Sequence, residues 1–336
     1  MTVDVVTSIT PRGVTKLETF RQGLAPEHLD AFQSMPISAQ SQFFQRRTSA
    51  AVRVEAEEID QRQANHKEKT DMELEGQTAL ITGGGTGIGA AIAHGLVAKG
   101  AQVCITGRRS QKLEEQAAGF PLGSVMALAG DVSDEEDVRR IVAATLEFGG
   151  NHIDILVNNA AYDVRGSITD LDVSDWRRIL EVNLTGPFLL MKETLPYMVK
   201  NGKGSIINVS SIGGIRCMPG CPGYAATKAG LIPLTQQAAL EYGPFGVRCN
   251  VICPGATRTE MLEGGISTKA RGMGMDMDGL MARFCSHVPL RRASQPSEMV
   301  GICTFLASDA SSFMTGAVLV IDGGANVVDV SGASIC

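Results

Sequence analysis

The chain has 336 residues, 44% of them hydrophobic and 5% aromatic, with 38 glycines and a formal net charge of −6. Such a chain can bury one large α/β core or two smaller ones, and its negative charge gives no electrostatic argument for nucleic-acid binding. Its eight cysteines form no C-x-x-C pair and its five histidines lie far apart, so local spacing implies no metal. With no apolar run of about 18 residues and no secretory leader pattern, the simplest expectation is a cytoplasmic protein without a membrane partner.

Residues 1–75 are polar, mixed in charge and free of any run resembling a buried parallel strand. Phe43, Phe44, Ala50, Ala51, Val54 and Ile59 recur at about helical spacing. This N-terminal extension reads as a partly helical arm, packed on the body or on a neighbouring subunit, or as a disordered segment. A single main domain is expected over residues 76–326, followed by a tail over 327–336.

Residues 77–82 have the character of a short buried strand. They run into Gly83-Gly-Gly-Thr86-Gly87-Ile88-Gly89 and then a helical stretch over 90–99. In that order the glycines permit a sharp turn and close approach of backbone amides to a pyrophosphate, while the helix N-terminus adds unsatisfied N–H groups. A second strand over 102–106 ends at Gly107-Arg108-Arg109. A carboxylate there would bind the ribose hydroxyls of NAD and repel a 2′-phosphate, whereas guanidinium groups suit the phosphate. Arg108 and Arg109 therefore favour NADP(H), with NAD(H) as the alternative.

A third strand over 125–130 closes on Asp131-Val132, with Asp131 placed to meet an adenine edge. The Ser133 to Glu136 spacing predicts a helix capped by Ser133. A fourth strand over 153–157 leads to Asn158-Asn159-Ala160-Ala161, at the carboxyl edge where open α/β sheets bind ligands. The fifth strand, 204–210, delivers Ser210 and Ser211 to the same edge. The sixth, 247–253, delivers Pro254 and Gly255. An irregular, glycine- and methionine-rich lid is expected over about 257–290, then a helix over 296–307 and a seventh strand over 316–321. The pattern is that of a doubly wound parallel sheet of the Rossmann type.

Tyr224 and Lys228, four residues apart, share one face of a helix. A cation beside a phenol favours the phenolate and makes the tyrosine a usable general acid and base. Taken alone, so short a pattern is far more often a solvated pair on a helix surface.

In order and approximate spacing, Thr82-Gly83-x-x-x-Gly87-Ile88-Gly89, Asp131-Val132, Asn158-Asn159-Ala160, Asn183, Ser211, Tyr224, Lys228 and Pro254-Gly255 resemble a short-chain dehydrogenase/reductase over about residues 74–326. Ala161 departs from the family's usual glycine, a change of little consequence if its φ is negative. The resemblance implies hydride transfer between NADP(H) and a small-molecule carbonyl or secondary alcohol. Ser211, 13 residues before Tyr224, would fix the carbonyl. Tyr224 would act as general acid and base, Lys228 would lower its pKa and bind the ribose, and Asn183 would hold a relay water. Cofactor contacts are implied for Gly83, Thr86, Gly87, Ile88, Gly89, Arg108, Arg109, Asp131, Val132, Asn159, Ala160, Tyr224, Lys228, Pro254, Gly255, Thr257 and Thr259. The resemblance also suggests a homo-oligomer, dimer or tetramer. Substrate specificity would lie in residues 162–165, residues 212–223 and the lid. A non-catalytic dinucleotide-binding regulator or scaffold is the rival reading, opposed by the intact Ser211, Tyr224 and Lys228.

Overall fold

The computed structural model describes Pro36 and residues 73–329 apart from Met273. The expected N-terminal arm and the end of the tail lie outside the described residues. Seven parallel strands, β1 (Thr78–Thr82), β2 (Gln102–Gly107), β3 (Val125–Ala129), β4 (Ile155–Asn158), β5 (Gly204–Val209), β6 (Val247–Pro254) and β7 (Val318–Ile321), form one sheet in the order β3-β2-β1-β4-β5-β6-β7. The order reverses between β1 and β4. At such a switch point the connections leave the carboxyl ends in opposite directions, which makes a crevice for a ligand.

Strands buried on both faces explain the apolar runs seen in the sequence. Every residue of β1, β4 and β5 is buried. Alternate side chains go to opposite faces. Leu80 and Leu156 join one core with α3 (Glu135–Phe148), α5 (Gly186–Asn201) and α6 (Pro222–Tyr242), while Ile81, Ile155 and Val157 join another with α1 (Gly87–Ala98), α2 (Ser110–Ala117) and α9 (Val300–Ala307). Each fully buried Leu or Ile contributes roughly 1.5–3 kcal/mol of transfer free energy. Cys104 and Cys303 serve as core hydrophobes, and burial pushes their thiols up to about 11 and about 12, which keeps them unreactive.

Three local expectations are corrected. The cap of α3 is Asp134, whose carboxylate accepts from the Asp137 amide at 2.9 Å. Ser133 instead donates to Asp131. The helix expected over 296–307 opens as a 3-10 turn, Pro296–Met299, before α9. The lid contains two helices, α7 (Glu260–Gly272) and α8 (Met277–Phe284), which with Cys285 and Ala293 bury a small core of their own around Ile266, Leu280 and Met281. Glycine at 264, 265 and 279 masked that helical pattern.

Candidate active site

The glycine loop is shaped by contacts that leave no room for side chains. Gly83 and Gly87 have φ of +65° and +57°. A Cβ on Gly89 would lie 2.4 Å from the Gly83 carbonyl oxygen. The loop therefore brings backbone rather than side chains to the crevice. The Thr86 side chain does not cap α1, so the first-turn N–H groups keep donor capacity for an anion. Ile88 packs into the α1 side of the core.

Asn159 and Ala160 fasten this loop to β4. Their backbone amides both donate to the Thr82 hydroxyl at 3.0 Å, and Asn159 Nδ2 donates to the carbonyls of Thr82 and Gly83 at 2.9 and 3.2 Å. Ala161 has no positive φ, so its methyl is tolerated. Val132 lies buried under the start of α5, where a Cβ on Gly186 would meet its carbonyl oxygen at 2.9 Å.

The two arginines after β2 separate. Arg109 donates to Glu260 at 2.9 Å and to the Thr86 hydroxyl at 3.0 Å, joining the glycine loop to the first turn of α7. The Arg108 guanidinium stands 5.8 Å from the centre of the Tyr162 ring. Asp131 accepts from the Ser133 amide and hydroxyl through Oδ1 and from Arg178 through Oδ2. Burial alone would raise its pKa, but these hydrogen bonds and the Arg178 charge hold it below the usual carboxylate range. Arg178 lies on α4 (Val173–Leu180), a partner the sequence did not suggest.

At the end of β5 the adjacent serines take different directions. Ser210 donates to the Lys228 backbone carbonyl at 2.7 Å and is buried. The Ser211 hydroxyl accepts from the Gly213 amide at 3.0 Å, and it shares one side of that glycine with Tyr224: a Cβ on Gly213 would lie 3.3 Å from Ser211 Oγ and 3.4 Å from Tyr224 Cε1. Lys228, buried within α6, donates to the Val209 carbonyl at 2.7 Å, and its ammonium stands 5.6 Å from the centre of the Tyr224 ring. Burial pulls the Lys228 pKa down to about 8. Burial pushes the Tyr224 phenol up, against the opposing Ser211 hydrogen bond. Desolvation thus acts on Tyr224 in the opposite sense to the lowering expected from the Tyr–Lys spacing.

Asn183 sits in a π turn, Glu181–Thr185, between α4 and α5. Its Oδ1 accepts from the Tyr162 amide at 2.7 Å, and its Nδ2 donates to the Tyr162 carbonyl at 2.8 Å and the Thr227 hydroxyl at 3.2 Å. Thr227 in turn donates to the Tyr224 carbonyl at 2.9 Å. A buried amide thus links the loop after β4 to the helix turn carrying Tyr224. Thr227 was legible only as a spacer between Tyr224 and Lys228.

Beyond β6, Gly255 passes so close to Asp322 that a Cβ would meet its Cα at 2.7 Å. Pro254 is the last residue of β6. Thr257 is buried, with its hydroxyl 2.9 Å from that of Ser294. The methyl of Thr259 lies 3.2 Å from the place of a Cβ on Gly87, which brings the start of the lid against the glycine loop.

A doubly wound parallel sheet, with a glycine loop at its switch point and a Ser–Tyr–Lys cluster on the same edge, defines a dinucleotide-dependent class of oxidoreductase. A family model described as Enoyl-(Acyl carrier protein) reductase matches residues 83–326. The chain is 35% identical to the meso-2,3-butanediol dehydrogenase of Serratia marcescens over 258 residues, covering 77% of this chain and 98% of the relative. It is similar to the crystal structure of levodione reductase, with a TM-score of 0.72 and 33% identity over 76% of this chain and all of that one. A structure assigned as an NAD(P) dependent gluconate 5-dehydrogenase from Beutenbergia cavernae, with NADP bound at low occupancy, gives a TM-score of 0.68 and 31% identity over 77% of this chain and all of that one. The chain belongs to the short-chain dehydrogenase/reductase family, whose members are oxidoreductases that use NAD(P).

Proposed function

We propose that the protein is an NADP(H)-dependent oxidoreductase acting between a small-molecule carbonyl and the corresponding secondary alcohol. The observation that carries this reading is the placing of Ser211, Tyr224 and Lys228 together at the carboxyl edge beside the glycine loop. The cofactor, when bound, supplies or accepts the hydride. Gly83, Thr86, Gly87, Ile88 and Gly89 would hold its pyrophosphate, with Asp131, Val132, Asn159 and Ala160 along the adenosine side. Pro254, Gly255, Thr257 and Thr259 would hold the nicotinamide side. The close approaches at Gly83 and Gly89 fit a backbone cradle for phosphate.

In the reducing direction Ser211 donates to the carbonyl oxygen and fixes its position. Tyr224 gives that oxygen a proton, a role suited to a phenol that burial keeps protonated. The Lys228 ammonium is the cation placed to favour the phenolate after the proton has left, acting against desolvation. Asn183 holds the turn of α6 that carries both groups, through Thr227, and supports proton resupply.

Arg108 and Arg109 support NADP(H) over NAD(H), with no carboxylate at the end of β2 to repel a 2′-phosphate. The dehydrogenase and reductase names of the relatives support alcohol and carbonyl substrates. Phe188 and Tyr197 on α5 and Leu240 on α6 are exposed apolar residues and support a homo-oligomer built on these helices. Among the described residues no helix is long and apolar enough to cross a membrane.

The direct test is to follow NADPH and NADH consumption over a panel of ketones and aldehydes, with the reverse reaction on alcohols. Turnover favouring NADPH is expected. Cofactor binding without turnover of any member would indicate the regulator reading.

A further inference from the structure

The loop after β4 carries two charged side chains beside the catalytic tyrosine to which the proposed reaction gives no role. Asp163 is largely buried, its side chain 11% exposed, and its Oδ2 lies 3.1 Å from Arg165 Nε. Its Oδ1 is buried without a hydrogen-bond partner. Arg165 contacts the Cys221 sulfur through Nη1, while Nη2 makes no hydrogen bond among the described residues. The Gly166 amide donates to the Gly220 carbonyl at 3.1 Å, fixing this loop to the segment that leads into Tyr224. Cys221 caps the start of α6, in the turn that carries Tyr224, so the Arg165 contact sets both side chains beside that tyrosine at the substrate end of the crevice.

A buried carboxylate oxygen without a donor is costly, and a native site that retains one calls for a partner. A hydroxyl can donate to Asp163 Oδ1 and accept from Arg165 Nη2 at once. A methyl group leaves both unpaired, and a carboxylate is repelled by Asp163. Resting on the reading of Ser211 and Tyr224 as the groups that hold the reacting oxygen, we propose that Asp163 and Arg165 bind a second hydroxyl of the substrate. The substrates are then diols and hydroxy ketones. Arg165 is the exposed partner: its side chain is 42% exposed, and its guanidinium edge lies 3.8 Å from the place of a Cβ on Gly265 in α7. A small shift of that side chain would admit the hydroxyl between Oδ1 and Nη2.

The test compares cyclohexanol with the isomeric cyclohexanediols. In the unreactive complex with NADPH, calorimetry should show at least one diol binding about tenfold or more tightly than cyclohexanol, the range of a hydrogen bond to a charged group. Asp163→Ala should remove most of that ratio by weakening the diol far more than cyclohexanol. Asp163→Asn, which keeps a carbonyl acceptor, should retain part of it, and Arg165→Met should reduce it. Equal binding of cyclohexanol and every diol, binding of none of them, or an equal loss for both in Asp163→Ala overturns the proposal. Selective diol binding without oxidation by NADP⁺ leaves it standing and contradicts the oxidoreductase reading instead. Oxidation without selectivity does the reverse.

Discussion

Lys228 donates to the carbonyl of Val209 at 2.7 Å and holds its ammonium 5.6 Å from the centre of the Tyr224 ring. The last residue of β5 thus anchors the lysine beside the tyrosine ring.

This buried lysine carries a pH signature. Its pKa falls from 10.5 to about 8 on folding. Between those values the unfolded chain holds a proton that the folded protein has released, so the Lys228 contribution to stability grows as pH rises through that window. Cysteines and Tyr224 with raised pKa values work in the opposite sense, but they are shared with a Lys228→Met variant. Denaturant midpoints of the two proteins should therefore shift in favour of wild type between about pH 8 and 10.5. A difference that stays constant with pH would show that the lysine is not desolvated.

Asn183→Ala should destabilise the fold as well as slow turnover. It leaves the Tyr162 amide and carbonyl without their partner and frees Thr227. Loss of such a buried network costs about 1–3 kcal/mol per unsatisfied group. Urea unfolding followed by circular dichroism measures it, and an unchanged midpoint would place those bonds outside the stability of the fold.

Much of this was written in the sequence, and the exceptions share a cause. Continuous apolar runs identified the seven strands because both faces of each central strand are buried. The lid helices α7 and α8 were hidden by glycines whose low helix propensity is overridden by the local core around Ile266 and Met281. Likewise, the choice of Asp134 over Ser133 as the cap of α3 follows from Asp131 and Arg178 engaging Ser133, and Arg178 is 45 residues away. The motif residues at the candidate site could be named from spacing. Their couplings could not: Asn183 reaches Tyr224 only through Thr227, and Asp163 meets Arg165 in a loop with no regular period.

Cofactor preference should respond to Arg108. Removing a guanidinium that pairs with a phosphate costs about tenfold or more in affinity. Arg108→Ala should weaken NADPH by that factor and NADH much less, as read by nucleotide fluorescence titration. Arg109→Ala should weaken both cofactors, because Arg109 also ties Thr86 to Glu260. An equal loss for both nucleotides in Arg108→Ala would remove this arginine from phosphate recognition.

In the proposed reaction everything turns on proton transfer by Tyr224. Tyr224→Phe keeps the ring, its packing and the Lys228 contact, and deletes only the hydroxyl. On a substrate established with the wild-type protein, the measurement is kcat together with the NADPH dissociation constant. A fall in kcat of roughly 10²–10⁴-fold is expected, the usual worth of a general acid, with NADPH affinity within about threefold of wild type. Near-normal turnover by the phenylalanine variant would exclude Tyr224 as the proton donor.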